Sequence, residues 1–462
     1  MHYPWWYVPF LTSPMLIAII SVLHVLVSHY AVGGGFFLAV ETGFAYRSKN
    51  TAYLGYLKRH AWFFILITVV YGAITGVGIW WTIGLASPLA TETLIHNFVF
   101  GWAIEYVSFI VEIISAFIFF YYWGRLREKT HIKIAWIYAW SAWFSLFAIT
   151  GITAFMLNTG GWHTNRGFWT GFLNPQMIPQ VLARTGGAFL LSSLYVFLHA
   201  SLKAREPSLQ NLIESRSARP ALWGAVLIVL GGLWWYLALP ESAKAALAAA
   251  SVLNVLMVLI FALTIAIFIM LYLGPYRNPG WFTPGFTILI FLSGVAAVTT
   301  GEYIREAVRK PYIIYNTVLA NQILPEEIPQ LRNSGYLEGG VWTRAYVDKY
   351  HPDLLSTGAI DEAALLTLPE SAQRELGEVL FQYHCNDCHA TKSGYSAIGH
   401  LTRGWTADMI QNVVEHPEKA HFFMPPWAGA REEAILLTKY LVSIASAHPG
   451  GMYYGNGEGR NQ

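Results

Sequence analysis

Apolar residues fill the first two thirds of the chain in blocks of about 20 or more, the length at which a helix crosses a bilayer. Eight such blocks lie near residues 14–46, 56–86, 97–124, 131–157, 177–203, 220–240, 247–273 and 281–308. Several exceed a hydrocarbon core about 30 Å thick, so tilt or extension into the interface is expected. Past residue 312 the pattern breaks. Residues 313–366 are polar, contain prolines and hold no period over most of their length, although Gly339-Gly340-Val341-Trp342 and Tyr350-His351-Pro352 suggest packing on a surface. The expected fold is all-α: a polytopic bundle over 1–312, an extracytoplasmic linker over 313–366, a small all-α domain over 367–448 and a glycine-rich tail over 449–462.

Composition agrees, with 55% hydrophobic and 12% charged residues where soluble chains carry about 25% charged. A net charge of +2 and the lack of a basic patch or phosphate loop leave no case for nucleic acid. The leading Met1-His2-Tyr3-Pro4-Trp5-Trp6-Tyr7 lacks a basic region and reads as an interfacial aromatic belt, not a signal peptide. Basic residues cluster after the odd-numbered blocks: Arg47, Lys49, Lys58 and Arg59; Arg125, Arg127, Lys129 and Lys133; Lys203, Arg205, Arg216 and Arg219. The even-numbered loops hold only Arg166 and Lys244. The positive-inside rule then puts both termini and the last domain on the periplasmic face of a bacterial inner membrane.

The two cysteines of the chain fall in Cys385-Asn386-Asp387-Cys388-His389, a C-x-x-C-H. Two thiols one short loop apart, followed by an imidazole, suit covalent attachment of heme c, with His389 under the iron. Zinc would want more ligands than this segment supplies. The surroundings resemble a class I cytochrome c domain: Gly377 and Phe381 stand where the first and last helices of such domains cross, and Glu432 to Ala445 reads as the closing helix. In Phe423-Met424-Pro425-Pro426-Trp427 the resemblance makes Met424 the sixth ligand, in place of a surface loop methionine. His384, His400, His416 and His421 are rival ligands.

Ionisable residues inside the blocks are costly and mark function. His24, Glu105, Arg184 and Met257 lie about eight to ten residues into blocks 1, 3, 5 and 7, roughly 10–15 Å below the outer surface at 1.5 Å per residue. Glu105 and Glu112 are seven apart on one helix face, as a proton relay would need, or as a packing pair held by Arg184 or tyrosines. Glu302 and Glu306 interleave with Arg305 and Arg309, which also suits a salt-bridge network without chemistry.

These residues resemble subunit I of the cytochrome bd oxidases, as scattered short motifs in order over residues 10–320. Leu23-His24 through His29, then Gly33 and Glu41, resembles the segment carrying that family's high-spin heme histidine. Glu105, Glu112 and Trp123-Gly124-Arg125-Leu126 resemble its two-carboxylate helix; Leu173-Asn174-Pro175 resembles the entry to the low-spin heme helix. Glu306-Ala307-Val308-Arg309-Lys310-Pro311-Tyr312 is similar to the Glu-x-Gly-Arg-Gln-Pro-Trp signature. The resemblance implies heme b, with heme d a further candidate: His24 and Glu306 as ligands of two high-spin hemes, Met257 as a low-spin ligand, Glu105 and Glu112 in the active site or its proton path, and Arg309 on heme propionates.

Two features depart from that family. Arg184 stands near the expected low-spin histidine and would bond a propionate or carboxylate; His199 and His163 are poorly placed substitutes, and His29 is about 140° around the helix from His24. Met257 and Met270 also read as core filler. The long quinol loop between blocks 6 and 7 is reduced to Pro240-Glu241-Ser242-Ala243-Lys244-Ala245, a tight hairpin. The expected function is a bd-like oxidase subunit taking electrons through heme c from a c-type cytochrome or periplasmic redox enzyme and reducing dioxygen or another small oxidant. The alternative is an electron conduit between quinone or a periplasmic enzyme and heme c; a bare heme c anchor is a third. Spans apolar all round predict a second membrane subunit and lipid contact.

Overall fold

The computed structural model describes residues 4–355, 358–394 and 396–446, and the tail at 449–462 lies outside them. The chain divides into two compact units: one of Ile17–Ile83 and Leu89–Thr317, the other of the described parts of Met1–Leu16, Gly84–Pro88 and Val318–Gln462. The fold is all-α. Among the described residues the strands are only Tyr312–Ile314 and Val318–Leu319.

Eight helices are long and apolar enough to cross a membrane: spans 1 to 8 are Ser13–Arg47, Thr51–Ala86, Val99–Tyr121, Glu128–Ala154, Met177–Lys203, Pro207–Leu237, Ser251–Tyr276 and Pro284–Ala307. The protein is a multi-pass membrane protein. Span 6 starts thirteen residues before the expected block, because Pro207 occupies a helix-starting position and Pro220 lies inside the helix without ending it. The connection to span 7 is not a bare hairpin; it contains the helix Glu241–Ala249, and span 7 begins at Ser251 rather than 247. Span 2 passes through a π-helical stretch at Leu66–Tyr71.

Span 5 is the axis of the first unit. It buries 61% of its apolar window, against 11% for span 7. Glycines let its neighbours approach backbone to backbone, the usual device where lipid removes the hydrophobic drive. A Cβ on Gly33 of span 1 would stand 2.0 Å from the Ala188 carbonyl oxygen; one on Gly224 or Gly231 of span 6 would stand 2.5 Å from Gly186 O or 2.6 Å from Ala183 N. Toward the basic loops, the Glu41 carboxylate accepts from Tyr53 OH (2.9 Å) and from Arg216, joining spans 1, 2 and 6, while the Arg216 guanidinium stacks 3.6 Å over Phe44. Span 7 turns Val252, Val255 and Val258 outward, each more than 60% exposed, onto lipid or another subunit.

In the second unit, helix Glu370–His384 crosses helix Arg431–Ser446 at Gly377, where a Cβ would stand 2.4 Å from Leu436 O. Phe381, fully buried, packs on Tyr440. The expected linker is not separate from this domain. Tyr336 and Leu337 are fully buried, and the Glu433 carboxylate accepts from the backbone N–H of Tyr336 (2.7 Å), Leu337 (2.6 Å) and Ala430 (2.9 Å). By packing, the boundary falls at 317/318 rather than at 312 and 366. Nor does Trp5 sit in an interfacial belt. It is 6% exposed, 4.6 Å from the Tyr383 ring and 6.2 Å from Trp342, because a folded aromatic pocket removes more of the indole from water than an interface does.

Gly335, at φ +75°, has two carboxylates converging on it: its Cβ position lies 2.5 Å from Glu362 Oε1 and 2.7 Å from Glu433 Oε1. Burial first, then repulsion from Glu433, pushes Glu362 up to about 8. A carboxyl whose folded value is raised contributes its stability below the ordinary value near 4.5 and loses it as pH rises toward 8. Glu362→Gln should therefore raise the Tm of the second unit at pH 8, by the equivalent of about 1 kcal/mol or more, and flatten its decline between pH 5 and 8. Thermal scans across that range check this.

Candidate functional site

The membrane carboxylates are met by hydroxyls from the neighbouring span. Ser145 Oγ donates to Glu105 Oε1 and Tyr138 OH to Glu112 Oε1, each at 3.0 Å. Both pairs follow one rule: two acids seven residues apart on span 3 face two hydroxyls seven residues apart on the antiparallel span 4. Arg184 does not hold them. Its Nη1 donates to Thr150 (3.2 Å) and Thr153 (3.4 Å), again on span 4. Tyr138 and Ser145 were missed in sequence, though their matching heptad spacing on the next span was a readable signal.

His24 and His29 point different ways. His24 Nδ1 pairs with Thr75 Oγ1 at 3.0 Å, and its ring lies over Gly76, whose Cβ position is 3.2 Å from Cε1. An imidazole held at Nδ1 is oriented to present Nε2, the arrangement metal-bound histidines use. His29 Nδ1 donates to Val25 O (2.9 Å), and its Nε2 is only 3.4 Å from the Cβ position of Gly187 on span 5. His24 Nε2 lies similarly close, 3.9 Å, to the Cβ position of Gly76, so both imidazoles lie against a glycine of a neighbouring span. His199 is engaged by His60 at 3.2 Å, and His163 lies 3.4 Å from Thr317 Oγ1. Met257 is half-buried on span 7.

At the end of span 8 the acids and bases are paired. Arg305 donates to Glu302 (2.9 Å), and Glu306 is bound by Arg309, with Lys310 at 3.7 Å. Arg309, 5% exposed, also donates to Ile313 O (2.9 Å) and leaves Nε without a partner among the described residues. That orphaned, buried N–H suits an anionic group such as a propionate. Glu306, half-paired, keeps lone pairs for a further ligand.

In the second unit His389 Nδ1 donates to Ser396 O at 3.1 Å, which leaves Nε2 to ligate. No disulfide joins Cys385 and Cys388, and burial pushes the Cys385 thiol up to about 12. Among the described residues no three His, Cys, Asp or Glu side chains gather in one place. Of the rival histidines, His384 is bonded at Nδ1 to Tyr336 OH (2.8 Å) and Asn321 Nδ2 (3.1 Å), and burial drives it down to about 3. His421 accepts from Phe423 N at 3.3 Å, and Met424 lies in the same loop.

Residues 13–250, just over half of the chain, match the model of the family described as cytochrome bd terminal oxidase subunit I. The chain belongs to that family: membrane respiratory oxidoreductases that bind hemes b and d and work with a second membrane subunit. His24, Glu105, Glu112 and Arg184 fall inside the matched stretch; Met257, Glu306, Arg309 and the Val318–Gln462 part of the second unit fall beyond it. The fold is similar to that of a bd oxidase from Geobacillus thermodenitrificans, with a TM-score of 0.56 and 18% identity over 65% of this chain and 87% of that one. No curated protein matches the chain.

Gly76→Val would drive a branched side chain into the His24 ring. On the expectation that His24 ligates a heme, the variant should lose most of its noncovalent heme while keeping its fold, as read by pyridine hemochrome and circular dichroism.

Proposed function

We propose that this chain is the catalytic subunit of a bd-type oxidase that takes electrons from a c-type donor. Electrons would arrive at the Cys385, Cys388 and His389 site, with Met424 as sixth ligand, from a soluble cytochrome or a periplasmic redox enzyme. They would leave to dioxygen, or another small oxidant, at the membrane site of His24. The observation that carries this reading is the oriented imidazole: His389, fixed through Nδ1 by Ser396, immediately follows two unbridged thiols in a chain whose other unit belongs to an oxidase family.

Bound hemes would supply electron storage and one open iron position; the residues do the rest. His24 and Glu306 would hold the two high-spin hemes and Met257 a low-spin one. Arg309 would neutralise propionates through its unpartnered Nε, and Arg184, hydrogen-bonded to Thr150 and Thr153, would supply fixed positive charge where a histidine ligand is missing. Reduction of one dioxygen takes four electrons and four protons and yields two waters, so protons must reach the buried site at the same rate as electrons. Glu112 and Glu105 would deliver them, with the Tyr138 and Ser145 hydroxyls positioning the two carboxyls. The second unit would stand on the periplasmic face, where covalent heme c is made, in keeping with the basic loops on the other side.

Glu105→Ala and Glu112→Ala should each cut oxygen consumption roughly 100-fold or more with reduced-minus-oxidised spectra intact; unchanged turnover would sink the relay. Cys385→Ser should abolish cytochrome-driven turnover and covalent heme staining while the membrane hemes still bind carbon monoxide. Six-coordinate membrane hemes that ignore carbon monoxide would favour an electron conduit instead.

A further inference from the structure

A second polar cluster lies in the first unit, and neither the family resemblance nor the site above uses it. His60 of span 2 is fully buried and His199 of span 5 is 8% exposed, and their Nδ1 atoms stand 3.2 Å apart. His60 Nε2 lies 3.1 Å from Tyr30 OH of span 1, and Tyr56 OH lies 3.3 Å from His199 Nδ1. A neutral imidazole carries one N–H and one acceptor nitrogen. With both its nitrogens engaged, His60 can take a proton on Nδ1 and release the other from Nε2, so a proton crosses the ring without the ring moving.

The surroundings give the chain two ends. His199 is four residues from Lys203, the last residue of span 5, and its charged neighbours are Lys203 and Arg59, the latter near the start of span 2, both toward the basic-loop ends of their spans. Both rings are buried: His60 is walled by Tyr56, Phe37 and Phe63, and His199 by Tyr56 and Phe63, with His199 nearer the end of its span. At the other end Tyr30 stacks on Tyr195 and packs edge-on against Phe64, ring centres 5.1 Å apart. Phe64 makes the same edge contact, 5.4 Å, with Tyr138, the residue that donates to Glu112. The small cavity beside Phe64, bounded by Ala61, Phe64 and Tyr138, is lined almost wholly by apolar groups, so a water would enter it only in passing.

We propose that His199, His60 and Tyr30 form a proton-entry relay from the basic-loop face of the membrane, feeding Tyr138 and Glu112 past the Phe64 ring that both tyrosines pack against. A proton taken up by His199 passes from its Nδ1 to His60 Nδ1, leaves His60 Nε2 for the Tyr30 oxygen as the Tyr30 hydroxyl proton moves on, and passes Phe64 on one transient water. Each ring then turns its remaining proton back to reset. Two histidines buried in a membrane bundle cost more than apolar packing residues would, and a relay gives that cost a use. This inference rests on the reading of Glu105 and Glu112 as the final proton donors.

The test uses the full chain with its partner subunit in vesicles, comparing His60→Ala and His199→Ala with Glu112→Ala. Turnover and the rate of proton uptake after anaerobic flash reduction, read by a pH dye on the basic-loop side, should both fall roughly 100-fold in the histidine variants. Carbon monoxide spectra should be unchanged, and added imidazole should restore most of both rates. Histidine variants at full rate, or slow ones that imidazole does not rescue, would overturn the proposal. If an alanine variant fails to fold, His60→Gln and His199→Gln keep the packing but cannot carry a proton through the ring; full turnover in these would overturn it equally. A slow Glu112→Ala beside normal histidine variants rejects only this entry route, whereas the reverse rejects Glu112 as the final donor.

Discussion

Close backbone contact around span 5 sets what the rest of the membrane unit can be. Gly33 against Ala188, Gly224 against Gly186 and Gly231 against Ala183 bring spans 1 and 6 to distances no side chain would tolerate. In lipid this contact replaces the hydrophobic drive that would join helices in water. Once span 5 is clamped, span 1 can turn only one face inward, and that face carries Tyr30 and His29 toward span 5, while His24 meets Gly76 of span 2. The placement of imidazoles thus follows from the placement of glycines.

Most of the ionisable groups of this bundle are met by partners from a neighbouring span. Glu105 and Glu112 take hydroxyls from span 4, Arg184 takes two threonines from the same span, and Glu41 takes Arg216 and Tyr53. Span 4 is therefore the polar counterpart of the span 3 acids and of Arg184. The second unit solves the same problem with Glu433, whose carboxylate ties the backbone at Tyr336 and Leu337 to the last helix, and with Tyr336, whose hydroxyl links His384 to the Ala428 N–H. Residues with no periodicity of their own thereby become part of a core.

Much of the architecture was legible in the chain. Eight apolar blocks, seven of them matched by helices to within a few residues, follow from bilayer thickness alone, because an unsatisfied backbone in lipid leaves the helix as the available solution. Span 6 ran longer because its polar extension carries no hydropathy signal. Gly377 at the helix crossing was readable too, since a resemblance of motif fixed where two helices must touch.

What tertiary structure decided was pairing. Sequence named His24, Glu105, Glu112, Arg184 and Glu306 as chemistry-bearing residues, because charge in a membrane is expensive at any depth. It could not say that Arg184 turns to threonines rather than to the carboxylates, that Trp5 lies on Tyr383, or that His60 meets His199 across 139 residues of chain. Hydropathy is a property of one segment read along its own axis. A hydrogen bond between helices depends on the rotation and register of both, and those are set by which small residues let the backbones approach.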